Sequence, residues 1–191
     1  MKIYHDWIVL IKNYYSTLEP GERNYEIVIP LGLSIVVSSI YGYVGATLSG
    51  LLKLRDLLPA TLAILIGFTI ACIAVLASSE ANNIKILKDE LTEKRTITDG
   101  SIVSLYQWVL TLFCYELFIQ TALLLFTFFV AFIIRVFNNY IFMSVLLFVE
   151  VSLLLHIIFL LVRCVTYIYL AFFPNKKKQM RSQVRKMMIR F

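Results

Sequence analysis

The chain has 191 residues, of which 60% are hydrophobic and only 16% charged, with a formal net charge of +6 and a mean hydropathy of +0.81. A soluble domain is about 45–50% apolar and about 25% charged. These values exclude an ordinary water-soluble fold and point to a chain that crosses a bilayer several times.

The N-terminal segment MKIYHDWIVLIKNYYSTLEPGERN has Asp6 early and no uninterrupted apolar core, so it does not read as a cleaved signal peptide. Ile3, Trp7, Leu10, Ile11, Tyr14 and Leu18 recur at helical spacing, and the Trp and Tyr residues suit headgroup level. Residues 1–25 are therefore expected to form an interfacial amphipathic helix that ends at Pro20-Gly21.

Four apolar blocks follow, at 27–48, 57–77, 102–134 and 140–173. None alternates as a barrel strand would, so the fold class is an all-α integral membrane protein of four transmembrane helices over 26–173. In the first block Ser34, Ser38, Gly42, Ala46 and Gly50 recur every fourth residue, a small-residue ridge that lets another backbone approach closely. Ala63, Gly67 and Ala71 repeat the spacing in the second block. The two ridges are expected to pack on each other within one subunit, or to form the interface of a homo-oligomer, a tetramer being one arrangement. Pro30 and Pro59 both fall at expected span starts, where neither has to break a helix.

Between the second and third spans, the charged loop 78–101 carries Ile84, Leu87 and Leu91 at helical spacing. It is expected to continue the second helix, with Asp99-Gly100 as the turn and Ser101 as a cap for the third. The last two blocks exceed the ~20 residues that a hydrocarbon core needs, and only the short link 135–139 joins them. Their surplus length should therefore protrude at the opposite end, as a stalk carrying Tyr106 and Trp108 among its aromatic residues.

Most Lys and Arg residues fall on the side of the two termini and the middle loop, and only Lys53, Arg55 and Arg135 on the other. That bias predicts both termini and the middle loop in the cytoplasm. The tail, 174–191, is basic and amphipathic: Lys176, Lys177, Lys178, Arg181, Arg185, Lys186 and Arg190 accompany a Met-rich stripe. It suits the anionic inner leaflet, or a cytoplasmic partner docked on a flexible Met-rich face. No folded reader accompanies these charges, so direct nucleic-acid binding is not expected.

Within the last two spans Glu116, Gln120, Glu150, His156 and Arg163 stand out as ionisable or amide side chains deep in apolar sequence. Depth counting places Glu116 level with His156, with Arg163 in reach of Glu116, as a buried polar network or an ion relay. Glu150 falls nearer mid-bilayer on another face and is expected to hydrogen-bond to the first span, where Ser38 and Ser39 lie at its level. The three cysteines have neither CxxC spacing nor clustered His, and no GxSxG, HExxH or phosphate-binding loop occurs. The expectation is a non-enzymatic chain without catalytic residues, cofactor or metal.

In layout the chain resembles the membrane component of the bacterial antiphage system Kiwa. The likeness lies in four spans with short outer loops, long final helices and a basic tail, with blocks such as YEIVIPLGLSIVVSSIYG and VLTLFCYELFIQT. The resemblance implies an oligomeric inner-membrane sensor or scaffold working with a separate cytoplasmic DNA-binding effector. A small oligomeric channel or transporter that uses the buried Glu and His residues is the alternative.

Overall fold

The structure, a computed structural model, describes residues 6–79, 82–96, 100–136 and 139–172. The basic tail and its seven cations therefore lie outside the described residues. The order is α1 (Asp6–Thr17), α2 (Pro20–Arg23), a π-helical segment (Asn24–Val28), α3 (Ile29–Tyr43), α4 (Thr47–Ser78), α5 (Asn82–Asp89), β1 (Leu91–Arg95), β2 (Ile102–Ser104), α6 (Leu105–Val136) and α7 (Tyr140–Phe172). The chain is mostly helical, and Pro20–Tyr43, Thr47–Ser78, Leu105–Val136 and Tyr140–Tyr169 are long and apolar enough to cross a membrane. It is a multi-pass membrane protein.

Several boundaries differ from the sequence reading, each for a local reason. Pro20 does not end the N-terminal helix, which stops at Thr17; it opens the next helix at the position where a missing N–H costs least. The first span thus starts at residue 20 and contains Pro30. That proline has no N–H for the Glu26 carbonyl four residues back, and its ring crowds the same carbonyl. The helix widens just before it, the Ile29 N–H bonding Asn24 O five residues earlier.

The span ends at Tyr43. Gly45, at φ +69°, makes the left-handed turn, and the Ala46 N–H returns to Tyr41 O at 2.9 Å. The next helix starts at once, so the stretch 49–56 read as an outer loop is helical and Pro59 lies inside α4. Ala46 caps α4 and Gly50 belongs to it. The five-residue ridge expected on one helix is therefore split between two.

Nor does α4 extend through the middle loop. α5 is separate and β1 pairs antiparallel with β2, Leu91 opposite Ser104 and Arg95 opposite Ile102. Ile84 and Leu87 are buried, but Leu91 is exposed. Ser104, not Ser101, caps α6. The Gln107 N–H donates to Ser104 Oγ at 3.2 Å and the Ser104 N–H to Gln107 Oε1 at 3.0 Å, a reciprocal box. Asn139 caps α7, its Oδ1 accepting from the Ile141 N–H at 3.0 Å.

α3 packs chiefly on α7, α7 on α6, and α6 on α4, while α3 and α4 meet only at their turn. The expected packing of the first two spans on each other is thus replaced: the ridge of Ser34, Ser38 and Gly42 faces the fourth span. Tyr140 Oη donates to Gly42 O across this contact at 2.5 Å.

Three apolar clusters stack along the bundle. Leu51, Val130 and Leu147 fill the end near the α3–α4 turn, here called distal. Leu58, Leu62, Leu123 and Ile157 fill the middle. At the proximal end Tyr14, Leu76, Ile84, Leu87, Val103, Trp108, Phe113 and Leu160 join α1, α5 and the hairpin to the helix ends. Part of the aromatic stalk, expected to be covered by subunit neighbours, lipid headgroups or a soluble partner, is covered by the chain's own elements: Trp108 is only 5% exposed and Tyr106 is half-buried, while Tyr169 remains exposed.

Candidate functional site: a buried ion-pair hub

The widened turn before Pro30 sets the geometry of the proximal end. The Glu26 carbonyl, denied its helical donor by Pro30, accepts instead from His156 Nδ1 at 2.6 Å. A carbonyl can only accept, so the Nδ1 proton is fixed and, in a neutral ring, Nε2 is the acceptor that faces the Tyr115 hydroxyl at 3.2 Å.

The Glu26 side chain has no exposed surface, yet both its oxygens are occupied. Arg163 Nη1 donates to Oε1 and Tyr14 Oη to Oε2. Arg163 Nη2 also lies 2.6 Å from Glu22 Oε1, near in charge but off the hydrogen-bonding direction. Glu22 is shared in turn: its Oε2 pairs with Lys94 Nζ at 3.0 Å and accepts the Glu19 N–H at 3.0 Å.

Aromatic rings pack around these charges. Lys94 Nζ stands 3.9 Å from the centroid of the Trp108 ring, with the Arg163 guanidinium 5.1 Å away. Tyr14 stacks on Tyr115 at 3.6 Å and 9°. Burial, and then the bond to Glu26, hold the Tyr14 pKa far above that of an exposed phenol, so Tyr14 stays the donor. The hub therefore ties α1, the first span, β1, α6 and α7 together. Removing one partner of such a buried pair leaves an uncompensated charge, a loss of about 3–5 kcal/mol.

Of the five buried groups singled out in the sequence, His156 and Arg163 belong to this hub and neither meets Glu116. The reason is lateral. The ridge of α3 on α7 continues backward through Pro30, Glu26 and Glu22 at fourth-residue spacing, and His156 and Arg163, seven apart on α7, meet that ridge and the Tyr115 and Trp108 rings of α6 rather than Glu116. Glu26 and Glu22 were missed because they stand at the edge of an apolar block, where a carboxylate reads as flanking charge. Their signal was the spacing Glu22, Glu26, Pro30, Ser34, Ser38, which carries the small-residue stripe back into ionisable residues.

Glu116 and Gln120 form a second, smaller group. Gln120 Nε2 donates to Glu116 Oε1 at 3.0 Å and to Thr69 Oγ1 at 3.1 Å, which ties α6 to α4. The Cys164 thiol neighbours the same carboxyl, while Glu116 Oε2 has no hydrogen bond.

Glu150 stands apart. It is fully buried, and neither carboxyl oxygen makes a hydrogen bond. It occupies the seam of α7 between Leu147 and Ile157, with Thr127 of α6 as its polar neighbour. The expected bond to the first span is not made. Ser38 Oγ is also without a partner and lines a separate groove of about 490 Å³ between α3 and α7, with Ile35, Tyr140, Ser144 and Phe148. Phe148 and Glu150 are two residues apart, about 200° around the helix, so the groove and the carboxyl face different ways.

Among the described residues no group of three or more His, Cys, Asp or Glu side chains could hold a metal ion. Comparison with protein-family models, curated proteins and solved structures finds no match to this chain.

Proposed function

We propose that the chain is a non-enzymatic, oligomeric scaffold or sensor subunit of a bacterial inner membrane. In this reading both termini are cytoplasmic, and α1, α5 and the hairpin form a cytoplasmic platform from which a soluble effector is recruited and regulated. The supporting observation is the Glu26–Arg163 hub. The strongest ionisable groups of the spans are engaged with one another and with Tyr14 and Lys94 of the covering elements, an arrangement that couples the platform to the bundle. The basic tail, which follows α7 on the same side, is the capture segment, acting near anionic lipid. By resemblance to Kiwa, the setting is antiphage defence and the effector a DNA-binding protein.

Affinity purification from native membranes tests this reading. The full chain should bring down a soluble protein that a chain ending at residue 175 does not. Cells carrying both components should resist phage, and should lose resistance with Arg163→Met despite normal membrane insertion. Retention of the same partner and of resistance by the truncated chain would overturn the reading.

A channel or transporter is the second reading, favoured by the unbonded carboxyl oxygens of Glu116 and Glu150 within the bundle. Ion flux through purified protein in vesicles, abolished by Glu150→Gln, would establish it.

A further inference from the structure

The exposed side of α4 carries two features that the bundle does not use. The first is a stripe of small residues, Ala60, Ala63, Gly67 and Ala71, all exposed. A Cβ added at Gly67 would meet nothing within 4 Å. The second is charge: Lys53 and Asp56 are also exposed and lie on the same stripe. At about 100° per residue all six positions fall within an arc of ~80°.

Their height makes the charges informative. Leu54 packs against both the distal and the middle cluster. It is therefore level with Thr127, which lies between Leu123 and Val130 on α6, and with Glu150 on α7. From that level outward the other helices present large apolar side chains to the surroundings: Phe129, Phe132 and Val136 on α6, Ile40 and Val44 beyond α3's midpoint. The seven-residue rise from Phe129 to Val136 is ~10 Å. Lys53 and Asp56 thus sit about that far inside an apolar surface. Lys53 could carry its ammonium outward on its stem, but Asp56 is too short to do so. Asp56 pairs with Arg55 at 2.7 Å; Lys53 has no ion pair among the described residues. Charges at such a depth face protein or enclosed water rather than lipid.

We infer that the exposed face of α4 is the contact between copies of this chain, with the small stripe of one copy against that of a second and Lys53 reaching Asp56 of the second copy. Copies related by an axis along the bundle present parallel α4 helices. Lys53 and Asp56 then differ in height by three residues, ~4.5 Å, which the lysine stem spans. The carboxylate keeps Arg55 on one side and accepts Lys53 on the other, and the small stripe lets the backbones close to van der Waals distance. This deepens the oligomeric part of the function proposed above, and it seats that assembly on α4 rather than on the first-span ridge, which α7 already covers.

The test is the mass of the full chain in mild detergent together with oxidative cross-linking in membranes. Gly67→Leu should shift the equilibrium at least tenfold toward monomer while leaving the melting temperature of the monomer unchanged, because the added side chain meets only open space in the fold. Asp56→Lys should do the same, and the exchange Lys53→Asp with Asp56→Lys should restore association. Cysteines at Ala60 and Gly67 should cross-link between copies, whereas one at Phe129 should not. An unchanged mass in both single variants, failure of the charge exchange to rescue, or preferential cross-linking at Phe129 would overturn the interface. Effector capture is read separately: a monomeric chain that still binds its effector refutes this interface alone, and an α4-linked oligomer that binds none refutes the scaffold reading alone.

Discussion

Replacing Arg163 with Met removes the cation from Glu26, a carboxylate with no exposed surface. Tyr14 still donates to Oε2, but Oε1 is left without a partner and Glu22 retains Lys94 as its cation together with the Glu19 N–H. Breaking a buried pair from one side costs about 3–5 kcal/mol. At about 2–4 °C per kcal/mol for a chain of this size, the melting temperature in detergent should fall by about 6–20 °C. Glu26→Gln should cost less, about 1.5–3 kcal/mol, because Arg163 keeps Glu22 and the amide keeps an acceptor for Tyr14. The double variant discriminates. Once Glu26 is neutral, removing Arg163 no longer strands a buried charge, so the combined loss should fall short of the sum by ~2 kcal/mol. Thermal melts of the four proteins complete the cycle, and the rate of tryptic cleavage at the exposed Lys12 reports whether α1 has lifted from α6. If the two losses add to within about 0.5 kcal/mol, the residues act independently. The hub would then be no coupling device.

Glu150→Met should stabilise the bundle by about 1–3 kcal/mol, because a buried carboxyl without hydrogen bonds gives way to a side chain of similar length that suits the surrounding Leu and Ile; a lower melting temperature would show an unrecognised partner. Gly50→Ala should destabilise by about 1–3 kcal/mol through overpacking, since its Cβ would lie 2.9 Å from the Tyr41 ring and 3.5 Å from Leu147; an unchanged melt would mean that Tyr41 swings away freely. Ser104→Ala removes the reciprocal cap of α6 and should cost about 1 kcal/mol, read as faster amide exchange in the first turn of α6 with the rest of the helix unaffected.

The long helices were legible because apolar length needs no tertiary information: 140–173 became Tyr140–Phe172, and 102–134 became Leu105–Val136. The hairpin was not. LKDELTEKR is rich in good helix formers, and their local preference hid the β-branched Thr92, Thr96 and Thr98 that precede an Asp-Gly pair in the sequence, a short-range hairpin signal. The start of α4 was lost for the opposite reason. Lys53, Arg55 and Asp56 read as loop because charge was equated with solvent, although nothing between Thr47 and Leu58 breaks a helix.

The candidate site was legible in composition but not in pairing. Depth counting along α6 and α7 set Glu116 level with His156, and it is Tyr115, the neighbour of Glu116, that meets His156; height is only one of two coordinates, and the other is the face each helix turns to its neighbours. That face depended on α3 packing against α7, a nonlocal fact, and on Pro30, whose consequence was underestimated. A proline at a span start would merely have fitted. Ten residues into a continuous helix, it strips the donor from one carbonyl and widens the turn that carries Glu26. One residue thereby supplies both the acceptor for His156 and the placement of the carboxylate between Tyr14 and Arg163. His156 therefore docks beside the ion pair where the backbone is irregular, because there the spanning helix offers an unclaimed carbonyl to a side chain from across the bundle.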